Sequence, residues 1–143
     1  MSKVVRYRMG NLQKTFPLRL TLRARNALQI RHNAIESARQ TSNKLLEKEL
    51  GNNFHFAVRM YPHHVLRENA LASGAGADRL STGMSHAFGK VIGIAARIKE
   101  GQALFSVEVE KDKLDVAKRA LHRASFKVPC KTFVTIDSSL KQN

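Results

Sequence analysis

Acidic residues are scarce in this sequence. Eleven Asp and Glu stand against 25 Lys and Arg in 143 residues, a formal net charge of +14 with a pI near 10.7. No carboxylate occurs before Glu36, whereas Lys3, Arg6, Arg8, Lys14, Arg19, Arg23, Arg25 and Arg31 all precede it. Such a balance excludes a self-neutralised surface and calls for a polyanionic partner, either nucleic acid or an anionic membrane. Long apolar runs are also missing: nothing approaches about 18–20 uninterrupted apolar residues. The N-terminus carries no apolar segment with a small-residue cleavage site, so no signal peptide is read there. The membrane is thereby set aside, and phosphate becomes the simplest neutraliser. Cys130 is the only cysteine. That excludes an internal disulfide and a thiolate zinc knuckle, and it suits a reducing cytoplasm.

Motifs for chemistry are equally few. "GAGADR" lacks the third glycine of a dinucleotide fingerprint, because Arg79 stands in its place. "GK" at 89–90 is followed by Val91, so no Walker loop is present. His63 and His64 are adjacent after Pro62 and do not converge on a metal as residues one helical turn apart do. Nothing in the pattern lowers the pKa of Cys130, and Ser73, Ser81, Thr82 and Ser85 lack a G-x-S-x-G frame. The expectation is a non-enzyme without cofactor, metal or small-molecule substrate.

What is present is regular patterning. "TFPLRLTLR" (15–23) alternates Phe16, Leu18, Leu20 and Leu22 with basic or small residues, the period of a half-buried strand with a basic outer face. Residues 29–51 repeat near 3.6, with Ile30, Ala34, Ala38, Leu45 and Leu46 on one stripe beside Ile35 and Ser42. Arg31, Arg39, Lys44 and Lys48 project elsewhere, and Gly51 closes the helix. "NFHFAVRMYP" (53–62) is a second strand with His55, Ala57 and Arg59 on its polar face. Segments 91–98 and 103–110 are read as a hairpin turning at "KEGQ". "KDKLDVAKRALHRAS" is a second helix, with Asp112 as N-cap and Leu114, Ala117, Leu121 and Ala124 buried. "KTFVTID" (131–137) is the last strand. The predicted class is α+β: one domain over 1–143, mainly an antiparallel sheet with two helices packed on it.

Five of the eight glycines fall within 73–93, a concentration that gives a loop conformational freedom. Together with "YPHHVLREN" (61–69), this region gathers bases, histidines and hydroxyls suited to phosphate, sugar and unstacked bases. No helix carries a compact base-reading face, so structured RNA is favoured over DNA. From the residues alone, the reading is an RNA-binding domain of unspecified target.

At "QIRHNAIESAR", "YPHHVLREN" and above all "GAGADRLSTGMSHAFGK" (74–90), the chain resembles the large-subunit ribosomal protein L-sixteen family in its archaeal and eukaryotic branch, L-ten-e. The resemblance runs from about Val5 to Asp137. It implies an α/β-hammerhead-like fold and a structural, non-catalytic role in translation. The implied partners are large-subunit rRNA, 5S rRNA, tRNA and neighbouring ribosomal proteins. The protein would be cytoplasmic and ribosome-bound, lying near the site where tRNA enters. Residues 70–85 match the family loop that points toward the peptidyl transferase centre and tRNA. The segment counted as a flexible glycine-rich loop is 70–90, and 1–14 form a basic N-terminal segment. The expected RNA contacts are Arg19, Arg23, Arg25, Arg31, His32, His63, His64, Arg67, Asn69, Arg79, His86, Lys90 and Arg97. Gly74, Gly76, Asp78, Arg79, Gly83 and Met84 are the loop residues expected to face tRNA.

Two departures from the family pattern bear on this. Relatives carry a base directly after the loop methionine, where this chain has Ser85 and then His86. Archaeal and eukaryotic members also begin with a further basic arm, whereas here the first strand lies close to Met1. The alternative function is a free-standing RNA-binding regulator or ribosome assembly factor on the same fold. An enzyme acting on phosphorylated substrates is the third reading and has no motif behind it.

Overall fold

The computed structural model describes residues 4, 6–62, 64–68 and 90–138. Strands β1 (Arg8–Gly10), β2 (Leu18–Ala24) and β3 (Leu28–Arg31) lead into helix α1 (His32–Leu50). Then come β4 (His55–Val58), β5 (His64–Glu68), β6 (Lys90–Ile98) and β7 (Ala103–Val109). A single 3-10 turn, Lys111–Lys113, precedes helix α2 (Leu114–Ser125), and β8 (Thr132–Ser138) ends the described chain. The class is α+β, as the patterning implied.

The strands form two antiparallel sheets instead of one, a five-stranded sheet in the order β1-β4-β7-β2-β8 and a three-stranded sheet β3-β6-β5. The expected hairpin between 91–98 and 103–110 is therefore corrected. β6 pairs with β3 and β5, whereas β7 pairs with β2 and β4. The turn between them carries the chain from one sheet to the other. Gly101 there has φ +80°, and its N–H donates to the Ala24 carbonyl at 2.8 Å, docking the turn on the end of β2.

One face of the five-stranded sheet meets the helices. Leu20, Leu22, Phe56, Phe105, Val107 and Val109 are buried there with Ile35, Ala38 and Leu46 of α1 and Ala117, Ala120 and Leu121 of α2. The two helices pack on each other, and Ser42 of α1 donates its hydroxyl to the Ala120 carbonyl at 2.9 Å. Leu121 is fully buried at this junction. Leu121→Ala is expected to lower unfolding free energy by about 2–5 kcal/mol, read as a shifted urea midpoint with unchanged slope.

Three local expectations change. α1 starts at His32, and Ile30 belongs to β3, so the helical stripe is shorter than its periodicity suggested. Asp112 does not cap α2: it lies in the 3-10 turn, and Lys113 precedes the helix without a side-chain cap. Arg39 does not project outward. It is 6% exposed, donates Nε and Nη2 to Glu36 at 2.6 Å each, and reaches the Met9 sulfur with Nη1 at 3.2 Å. Its pKa is raised above the ordinary guanidinium value by the Glu36 hydrogen bonds, against the opposing effect of burial.

Gly10 shows why β1 is so short. It has φ +90°, and a side chain there would collide with the Phe54 carbonyl, whose oxygen accepts from Asn11 N–H at 2.7 Å. Only glycine permits that close backbone approach.

Candidate nucleic-acid interface

The outward face of the five-stranded sheet is organised in rows by strand register, because directly paired residues share a face. One row runs Gly10, His55, Glu108, Arg19, Asp137, and the next runs Arg8, Ala57, Ser106, Thr21, Thr135. Arg23 extends the pattern opposite Phe133, and Arg59 follows β4. Arg8, Arg19, Arg23 and Arg59 thus share the face with two carboxylates, so its balance is positive.

Hydrogen bonds hold part of this set in place. Glu108 accepts from His55 Nδ1 at 2.8 Å and lies 3.5 Å from Arg19 Nη2. Arg59 Nε donates to Ser106 Oγ at 3.0 Å. Arg23 donates to Thr135 Oγ1 and to the Gly101 carbonyl, each at 3.1 Å. Arg25, just past β2, lies over the Phe133 ring at 5.1 Å. The buried Arg19 Nε and His55 Nε2 have no hydrogen-bond partner among the described residues. A face of this kind offers fixed guanidinium groups to phosphates.

The three-stranded sheet carries a second basic group. Gln29 pairs with Arg97 and Arg31 with Ala95, which puts Arg31, Arg97 and Gly93 on one face. Arg31 passes over Gly93: a Cβ there would stand 3.8 Å from Arg31 Nε. Arg31 and Arg97 are both exposed. In β5 and β6, His64 sits opposite Ala95, Arg67 opposite Val91 and Glu68 opposite Lys90. The last pair brackets the chain between, so the two ends of the glycine-rich segment start from neighbouring strands.

Of the expected contacts, Arg19 and Arg23 meet on one sheet, Arg31 and Arg97 on the other. Arg67 and Lys90 lie near the base of the glycine-rich segment, and His64 lies along the same strand pair. His32 opens α1 and is buried, so it is less accessible than Arg19, Arg23, Arg25, Arg31 and Arg97. His63, Asn69, Arg79 and His86 lie outside the described residues, as do Gly74, Gly76, Asp78, Gly83 and Met84. Arg8 and Arg59, outside the expected set, join the outward face by strand register. Arg59 was legible on the polar face of β4, whereas Arg8 lies in a three-residue strand too short to show a period.

Burial pushes the Cys130 thiol up, away from the thiolate a nucleophile needs. Among the described residues no cluster of His, Cys, Asp or Glu has the arrangement of a metal site, and no helix is long and apolar enough to cross a membrane.

A positive α+β protein with guanidinium groups ranged over its sheet faces has a surface suited to a polyanion. The sequence comparisons narrow that reading. The profile of the family "Ribosomal protein L16p/L10e" matches residues 1–135, and the chain belongs to that family. Large ribosomal subunit protein uL16 of Methanoculleus marisnigri is 50% identical over 129 residues, covering 90% of this chain and 76% of the relative. The proteins of the same name from Methanocella arvoryzae and Archaeoglobus fulgidus are 46% and 45% identical, over 94% and 95% of this chain and 79% of each relative. By family, then, the chain is a ribosomal structural protein of translation and not an enzyme.

Proposed function

We propose that this chain is a structural constituent of the large ribosomal subunit that binds large-subunit rRNA close to where tRNA enters. The observation that carries the reading is its likeness, at 45–50% identity over at least nine-tenths of its length, to relatives named large ribosomal subunit protein uL16. The two basic sheet faces support it by supplying phosphate ligands on rigid strands. In this reading Arg8, Arg19, Arg31, Arg59 and Arg97 neutralise rRNA phosphates. Residues 1–143 act as one RNA-binding domain with a basic segment at 1–14. The glycine-rich segment 70–90, launched from the paired Glu68 and Lys90, points toward the peptidyl transferase centre. Gly74, Gly76, Asp78, Arg79, Gly83 and Met84 face tRNA there, and His63, His64, Asn69 and His86 add RNA contacts. Neighbouring ribosomal proteins and 5S rRNA complete the surroundings, in the cytoplasm. Bond-making in that centre belongs to RNA, and the protein positions it.

Arg79 tests the loop assignment. Arg79→Ala is expected to slow tRNA-dependent peptide synthesis by reconstituted ribosomes while changing unfolding free energy by less than about 0.5 kcal/mol. A large drop in melting temperature would instead make Arg79 part of the fold.

The deciding experiment is sedimentation of a cell lysate through a sucrose gradient after a high-salt wash, probing for this protein. Near-stoichiometric recovery with large subunits is expected. Recovery mainly at the top of the gradient, or only with immature particles, would replace this reading by a free regulator or an assembly factor.

A further inference from the structure

α2 packs over β2 and β7 but stops short of β8, the edge strand of the five-stranded sheet. The consequence is read in the register. Val134 pairs with Leu22 and Ile136 with Leu20, so both point to the same side as fully buried core leucines. Yet Val134 is 39% and Ile136 46% exposed, because no helix among the described residues covers them. Between β8 and α2 runs an open groove of about 580 Å³, floored by Leu22, Val134 and Ile136 and walled by Lys118, Arg119 and His122 of the helix. Among the described residues no acidic one lines it. Past the end of α2, Phe126 is 71% exposed and stacks edge-on against His122 with ring centroids 4.5 Å apart.

The outer edge of β8 has no strand beside it among the described residues. A row of unmatched backbone N–H and C=O groups next to an apolar floor is an unguarded edge, a template for one more strand. Phosphate would satisfy the basic wall but leaves the apolar floor and the backbone acceptors unmet. A polypeptide strand satisfies all three.

We propose that this groove takes an extended acidic polypeptide segment from a partner protein, added as a strand on β8. Its alternate apolar side chains rest on Val134 and Ile136, and its carboxylates lie within reach of Lys118 and His122, beside Arg119, whose Nη1 donates to Glu49 Oε1 at 3.2 Å. The main-chain ladder supplies affinity, the apolar floor fixes register, and the basic wall selects an acidic sequence. This surface is separate from the outward face proposed for rRNA, since the two lie on opposite sides of the same sheet. A ribosomal protein with this device holds RNA with one side and a protein segment with the other.

The test is an NMR titration of the full free chain with a synthetic peptide of about seven residues alternating Glu and Val. Comparison titrants are the same peptide with Lys for Glu and a short RNA duplex. Expected are shifts confined to β8 and α2, with alternate β8 amides newly protected from hydrogen exchange, and no such response to the Lys peptide. Lys118→Glu and Ile136→Glu replace exposed side chains and keep the fold. Each is expected to weaken the acidic peptide at least about tenfold. Absence of shifts at β8, an equal response to the Lys peptide, or stronger β8 and α2 shifts with the RNA duplex would each overturn the proposal.

Discussion

Raising monovalent salt from about 50 to about 200 mM is expected to weaken binding of this chain to its rRNA fragment by roughly a thousandfold or more. The reason is counterion release. If about 6–8 phosphates are neutralised, the log–log slope of affinity against salt is about −5 to −7. The structure says which arginines set that slope. Arg8, Arg31 and Arg97 are exposed on the two basic faces, and each changed to Gln should make the slope shallower by about one. Arg23 already donates to Thr135 and the Gly101 carbonyl, and Arg39 is buried against Glu36, so neither should count fully as a phosphate ligand. Filter binding across a salt series measures this directly. A slope near −2 would mean that charge is not the principal source of affinity.

The second large effect lies inside the molecule. Glu36→Ala is expected to cost about 3–5 kcal/mol, because Arg39 would keep its charge while losing both carboxylate bonds. Only the Met9 sulfur would remain to it among the hydrogen bonds described here. Burial penalises an unpaired charge far more than it rewards a paired one. The double variant Glu36→Leu with Arg39→Met should therefore recover most of the loss. Denaturant unfolding of the single and double variants separates these outcomes. A single variant as destabilised as the double would show that the pair contributes packing and nothing electrostatic.

The same ion pair marks where the sequence stopped being informative. A helical pattern assigns Arg39 to the polar side of α1 because charge is the only property it reads. Its burial depends on Met9, thirty positions earlier, in a strand too short to have a period. Strand alternation in 15–23 and 53–62 was legible because each segment has one dry and one wet face; β4 lies inside the second, and β2 runs one residue past the first, to Ala24. The partners of a strand are a different matter. Residues 91–98 and 103–110 look like a hairpin by proximity, yet long-range pairing sends β6 to β3 and β5. His64–Glu68 went unread as a strand because a histidine pair after proline resembles a turn. For the candidate interface, composition and motif announced a basic surface and a glycine-rich segment. Only register could assemble Arg8, Arg19 and Thr21 into neighbouring rows.

The position of β2 has a consequence for the life of the chain before it is complete. Leu18–Ala24 lies between β7 and β8, pairing on one side with residues through Val109 and on the other with residues through Ser138. A ribosome making this protein exposes the strand first and its last partner, Thr132–Ser138, only much later. At about 5–20 residues per second, the interval is on the order of ten seconds. During it, an apolar ridge of Leu18, Leu20 and Leu22 and the arginines between them stand unmatched beside abundant nascent and ribosomal RNA. Cooperative closure of the five-stranded sheet must wait until Thr132–Ser138 has emerged, so a nascent chain stalled before residue 132 is a sticky intermediate instead of a smaller working protein.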